Sequence, residues 1–148
     1  MPRSLLLITA LAGSAMLIVS EFLTLRELRI ITVVKESLTG GSHHAYALAV
    51  IGVVAAVMAF GAFRGDSRPA GYGLLALALA AVAVIAVADV GWVNEEGFIG
   101  QAFEDAVARP KEGFYVETLG AALLLLSAVA NLVLARRPAA GAEKSPPA

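Results

Sequence analysis

The stretch Ala45–Phe63, AYALAVIGVVAAVMAFGAF, decides the fold: it runs 19 residues without a charged side chain. At 1.5 Å per residue such a run makes a helix about 28 Å long, close to the hydrocarbon core of a bilayer at about 30 Å. Three more runs of this kind stand around it: Ser4–Ser20, Ala70–Ala88 and Thr118–Ala135, of 17, 19 and 18 residues. The chain as a whole is 59% hydrophobic and 16% charged, with a mean hydropathy of +0.80. Soluble domains carry about 25% charged residues, spread along the chain rather than excluded from long blocks. This blocking excludes an ordinary soluble enzyme and a disordered chain. A net charge of −1 with no basic cluster of useful size excludes a nucleic-acid binder.

The expected fold is therefore an all-α membrane protein. It is a four-helix transmembrane bundle with spans at about 4–22, 45–63, 70–92 and 115–135, together making one domain over 1–137. Loops 1 and 3, which join the first and last pairs of spans, form a small extracytoplasmic cap, and residues 138–148, rich in Pro and Ala, form a disordered cytoplasmic tail. The N-terminus, with Arg3, Leu5–Ala12 and then Gly13-Ser14-Ala15, has the outline of a signal peptide. Met16–Val19 carries the apolar stretch past the usual h-region, so it reads as an uncleaved first span. Cysteine is absent, which removes disulfides, thiolate metal sites and cysteine nucleophiles.

Lys and Arg placement favours both termini in the cytoplasm of a bacterial cell, with the spans in its plasma membrane. Arg3, Arg64, Arg68, Arg136, Arg137 and Lys144 then lie inside, against Arg26, Arg29, Lys35, Arg109 and Lys111 outside. Aromatic residues agree, since Phe22, Tyr46, Trp92, Phe114 and Tyr115 fall at the outer ends of runs and Phe60, Phe63 and Tyr72 at the inner ends.

The two outer loops have content of their own. In the first, the β-branched run Arg29–Val34 before Thr39-Gly40-Gly41-Ser42 favours an extended or hairpin-like segment, although Leu25, Leu28, Ile31 and Lys35 also fit a surface helix. In the second, Ile99, Ala102, Phe103, Ala106 and Val107 recur at helical spacing up to Pro110, which reads as a short interfacial helix. For packing inside lipid, Gly52 with Ala56, Ala76 with Ala80, and Gly120-Ala121 offer small-residue faces. Ser127 and Asn131 share one face of the last span as helix-packing polar groups, with Asn131 seeking either a partner or the inner headgroups.

Chemistry is confined to ionisable residues at span ends. Glu21 ends the first span, His43 and His44 precede the second, Asp89 ends the third and Glu117 opens the fourth, all at the outer boundary. Gathered there, carboxylates and imidazoles can bind a divalent metal, relay protons or hold a cationic ligand. Their plainer reading is interfacial capping, with Glu117 in a first helical turn against the positive end of the dipole. Adjacent histidines cannot both face one point along a regular helix, so His43-His44 is by itself a poor metal pair. There is no HExxH, GxSxG, Walker or dinucleotide fingerprint, and the sequence carries no cofactor signature.

Three segments carry a resemblance: Glu21–Leu25, Gly40–Leu48 (GGSHHAYAL) and Gly113–Ala121 (GFYVETLGA). In these the chain resembles small four-span bacterial membrane proteins of the alanine-rich, high-GC type, a likeness that brings no activity with it. The leading expectation is a non-enzymatic accessory or structural subunit working through helix packing and outer-loop contacts, with the lipid bilayer, a protein partner or further copies of itself as its partners. The alternative is a small-molecule or ion-binding transporter or channel component with an outer polar vestibule lined by Glu21, His43, Asp89 and Glu117.

Overall fold

A computed structural model describes residues 2–30, 33–95 and 106–135 of the chain. Helix α1 (Arg3–Ser20) is followed by strands β1 (Thr24–Ile30) and β2 (Val33–Thr39), the short helix α2 (Gly40–His44) and α3 (Ala47–Phe63). Then come α4 (Arg68–Val84), a π-helical turn at Ile85–Asp89, a 3-10 turn at Trp92–Asn94, strand β3 (Ala106–Pro110) and α5 (Glu112–Ala135). Three segments, Arg3–Ser20, Arg68–Asn94 and Glu112–Leu134, are long and apolar enough to cross a membrane; Ala47–Phe63 is apolar but shorter.

The four long helices close a ring, α1 packing on α3 and α5, α3 on α4, and α4 on α5. Leu17, Leu48, Leu74 and Leu124 fill its centre, and alanines such as Ala10, Ala55, Ala78 and Ala128 let the backbones approach. The tightest crossing joins Gly13 of α1 to Gly120 of α5, where a Cβ on Gly13 would lie 2.7 Å from the Gly120 carbonyl oxygen. Outward faces are as apolar as inward ones, with Val57, Leu126 and Val87 exposed by 64%, 66% and 87%. Helices apolar all round are compatible with a bilayer or with the interior of a large core.

Several small-residue pairs work differently from expectation. On α4 the buried stripe is Gly71, Leu74, Ala78 and Ala81, while Ala76 and Ala80 face outward. On α3, Gly52 is buried against the Ser14 carbonyl of α1, but its partners along the stripe are Ala55 and Ala59 rather than Ala56. Ser127 is buried yet does not bond across helices, because its hydroxyl donates to the Leu123 carbonyl one turn back at 2.5 Å. Asn131 does meet a neighbour: its Nδ2 lies over Gly71, 2.9 Å from where a Cβ would sit.

The fold is not all-α. Loops 1 and 3 form an antiparallel sheet ordered β2-β1-β3 at one end of the helices. Within residues 25–38, those up to Ile30 lie in β1 and those from Val33 in β2, paired from Thr24↔Thr39 to Ile30↔Val33, so Thr39–Ser42 is not the turn between the two strands. Thr39 instead caps α2, accepting from the Ser42 N–H. Ala106–Pro110 is a strand rather than the end of an interfacial helix, running in register from Ile30↔Ala106 to Arg26↔Pro110. The free edge of β1 supplies hydrogen bonds that outweigh a local helical period, and proline is tolerated on an edge strand. The rest of that expected helix, and the tail at 138–148, lie outside the described residues.

Helix ends also move from their expected places. α1 stops at Ser20, two residues short, and leaves Glu21 as its C-cap. α3 starts at Ala47 and α4 at Arg68, while α5 starts at Glu112. That last shift puts Glu117 in the second turn of α5, so it is not the first-turn cap that its position in the sequence suggested.

Candidate functional site

Four elements that are distant in sequence deliver their polar residues to one place beneath the sheet. Glu21 arrives on the C-cap of α1, His43 and His44 on α2, Asp89 on the π turn and Glu117 on α5. All five expected residues come together there, and Glu21, Asp89 and Glu117 are buried to 1%, 0% and 0% exposure.

Local backbone explains each placement. α2 is held against the end of α1 by Gly41, whose N–H donates to the Glu21 carbonyl at 2.8 Å. A Cβ on Gly41 would lie 2.4 Å from the Tyr46 ring and 2.9 Å from the Glu21 carbonyl oxygen, a backbone atom that cannot swing aside, so glycine suits this close approach. Ala45 and Tyr46 are both left-handed (φ 51° and 62°), an arrangement that costs roughly 1–3 kcal/mol per residue and turns the chain from α2 into α3. Because α2 is short and ends in this turn, two adjacent histidines do reach one point, against the expectation from a regular helix. The π turn acts on Asp89: at 100° per residue a regular helix would carry position 89 about 80° away from Ala81. The wider turn, closed by the Val90 N–H to the Ile85 carbonyl at 3.1 Å, keeps Asp89 on the inner stripe.

The contacts form a chain. His44 Nε2 lies 2.7 Å from Asp89 Oδ1, and His44 Nδ1 lies 3.8 Å from Glu21 Oε2. His43 Nε2 lies 3.5 Å from the same Asp89 oxygen. Glu21 Oε1 accepts from the Leu48 N–H at 2.8 Å, so this carboxylate also caps the start of α3. Glu117 has Asp89, His44 and Glu21 as its charged neighbours. Burial would by itself lower the pKa of His44, but the bond to Asp89 and the pairing with Glu21 outweigh it and lift the imidazole to about 10.

Hydrogen bonding is unfinished here. Seven buried side-chain atoms lack a hydrogen-bond partner among the described residues, and six belong to this cluster: Glu21 Oε2, His43 Nε2, His44 Nδ1, Asp89 Oδ2 and both oxygens of Glu117. Buried polar groups in folded proteins are satisfied as a rule, and each exception costs about 1–3 kcal/mol. Interfacial capping, the plainer expectation, accounts for Glu21 alone.

Two further members were not read as site residues. Trp92 stacks on the His43 ring at 3.9 Å and 17°, and the Arg26 guanidinium lies 4.5 Å from the indole centroid. Trp92 thus contacts both Arg26 of β1 and His43 of α2 through its ring. Trp92 is the chain's single tryptophan, three residues after Asp89, and in sequence that signal reads equally well as an interfacial anchor.

No family model, curated protein or solved structure matches this chain.

Proposed function

We propose that the chain is an integral membrane protein, a four-helix transmembrane bundle with an extracytoplasmic cap and both termini in the cytoplasm, that binds a cation at the His–carboxylate centre under the cap. One observation carries this reading: three fully buried carboxyl groups face two imidazoles, with six polar atoms unpartnered. A centre short of positive charge and of hydrogen-bond donors is one that a cation completes. In a purely structural subunit such a cluster is a cost without a return, since apolar residues of similar volume would stabilise the bundle as well or better.

The placement suits uptake from outside. The centre lies at the sheet end of the helices, and His43, with 22% of its side chain exposed, is its open edge. Arg3 and Asp66 pair at the opposite end, on the cytoplasmic side in this threading.

Trp92 supplies the test. Because its ring stacks on His43, a cation entering the centre changes its emission. The full chain in lipid nanodiscs is titrated with Na⁺, Ca²⁺, Zn²⁺ and tetramethylammonium. A saturable response to one of them, abolished in Asp89→Asn, supports the reading. Emission indifferent to all four would overturn it and leave the accessory-subunit reading in its place.

A further inference from the structure

The geometry points to a divalent first-row transition metal, Zn²⁺ foremost, bound by His43, His44 and Asp89, with the Glu117 carboxyl next to the set. This assignment rests on the cation-binding reading above and names the class of ion. One ligand atom from each of His43, His44 and Asp89 lies within 4.8 Å of the others.

The distances favour a small ion held by nitrogen and oxygen. Tetrahedral Zn²⁺ has bonds of about 2.0–2.1 Å, which places neighbouring ligand atoms about 3.3 Å apart. The two histidine-to-Asp89 separations of 2.7 and 3.5 Å fall on either side of that value. Imidazole nitrogen selects borderline metals over Na⁺, Mg²⁺ and Ca²⁺, which take oxygen. The widest separation in the set, up to 4.8 Å, must close to about 3.3 Å on binding, and His43, as the ligand with an exposed edge, is the one with room to move.

The surroundings match a metal centre as well. Metal-bound histidines commonly donate their other ring nitrogen to a carboxylate that orients the ring. Glu21 Oε2 stands 3.8 Å from His44 Nδ1, a gap that a small turn of the His44 ring on binding would close into that hydrogen bond, and Glu21 is itself anchored by the Leu48 N–H. Glu21 is thus a positioning residue for His44. Asp89 Oδ2 and both Glu117 oxygens receive no hydrogen bond from an N–H or hydroxyl among the described residues; Glu117 lies against Asp89, where the two carboxyl groups can share a proton that an entering ion displaces. On binding, the ion replaces the hydrogen bond between His44 and Asp89, and a proton on that His44 nitrogen leaves to solvent.

Co²⁺ is the probe, added to the full chain in nanodiscs and followed by visible absorption and Trp92 emission, with Zn²⁺ as competitor. The expected result is one Co²⁺ per chain, with the intense ligand-field band of a four- or five-coordinate ion, erased by Zn²⁺. The band disappears in Asp89→Asn and in the milder His43→Ala at the exposed edge, and Glu21→Gln weakens affinity about 10–100-fold. Helical circular dichroism of each variant establishes that it is folded. A saturable Trp92 response to Na⁺, Ca²⁺ or tetramethylammonium without a Co²⁺ band overturns the transition-metal assignment and leaves cation binding standing. No response to any ion overturns both. A Co²⁺ band unchanged in folded His43→Ala and Asp89→Asn overturns the ligand set.

Discussion

Replacing Gly13 by Ala tests whether the bundle is held by backbone approach at the α1–α5 crossing. A Cβ there would lie 2.7 Å from the Gly120 carbonyl oxygen and 2.9 Å from the Leu124 nitrogen, both backbone atoms that no rotamer change can move. Restoring contact distances of about 3.5–4.0 Å separates the helices by roughly 0.5–1 Å, which forfeits a quarter to a half of each dispersion well along the seam. Overpacking of this kind costs about 1–3 kcal/mol. Any Gly→Ala change in a helix also regains up to about 1 kcal/mol of backbone propensity, so a control with the same gain is needed. Gly91 serves, because its backbone is helical (φ −76°, ψ −50°) and an added Cβ meets nothing within 4 Å. Unfolding free energies in bicelles, by SDS titration or steric trapping, are expected to place Gly13→Ala about 1–3 kcal/mol below Gly91→Ala. Equal stabilities for the two variants would refute the close-crossing account. In lipid there is no hydrophobic effect between helices to mask the loss, so the comparison is sensitive.

Other perturbations follow from the same structure. Glu21→Ala removes the acceptor for the Leu48 N–H and is expected to cost at least about 1–2 kcal/mol in thermal unfolding, while Glu21→Gln, which keeps an acceptor oxygen, loses less. Glu27 is held below its ordinary value of 4.5 by hydrogen bonds from Lys111 and Arg29. The sheet stability it contributes is therefore present above that value and lost as pH falls through the lower folded one. Hydrogen exchange of the β1 and β3 amides over acidic pH should show this loss, and Glu27→Gln should remove it. The Arg3–Asp66 pair is exposed at both ends, so Arg3→Ala is expected to change stability by under about 1 kcal/mol, with the difference shrinking further in high salt.

Much of this protein was legible from its residues alone. Four charge-free runs announce four apolar helices, because an uninterrupted apolar block of bilayer length satisfies its backbone only as a helix. Ionisable residues confined to run ends mark where polar chemistry sits, and Glu21, His43, His44, Asp89 and Glu117 are the residues that meet. The β-branched segment of loop 1 gave an extended reading, and its described residues lie in strands.

What the tertiary structure alone decided are the matters that depend on phase and on distant partners. Which alanines face inward, Ala78 and Ala81 rather than Ala76 and Ala80, depends on helix rotation, and an alanine-rich span with no polar face has no periodicity to reveal it. The strand at Ala106–Pro110 exists because β1 offers it an edge, a long-range pairing that local helical spacing contradicts. The convergence of both histidines on Asp89 needs two left-handed residues and a π turn. Such backbone departures are held in place by packing from other elements and have no signature in local sequence. The chain's own residue types supplied the donors, and the fold supplied the 2.7 Å and 3.5 Å separations that make them one centre.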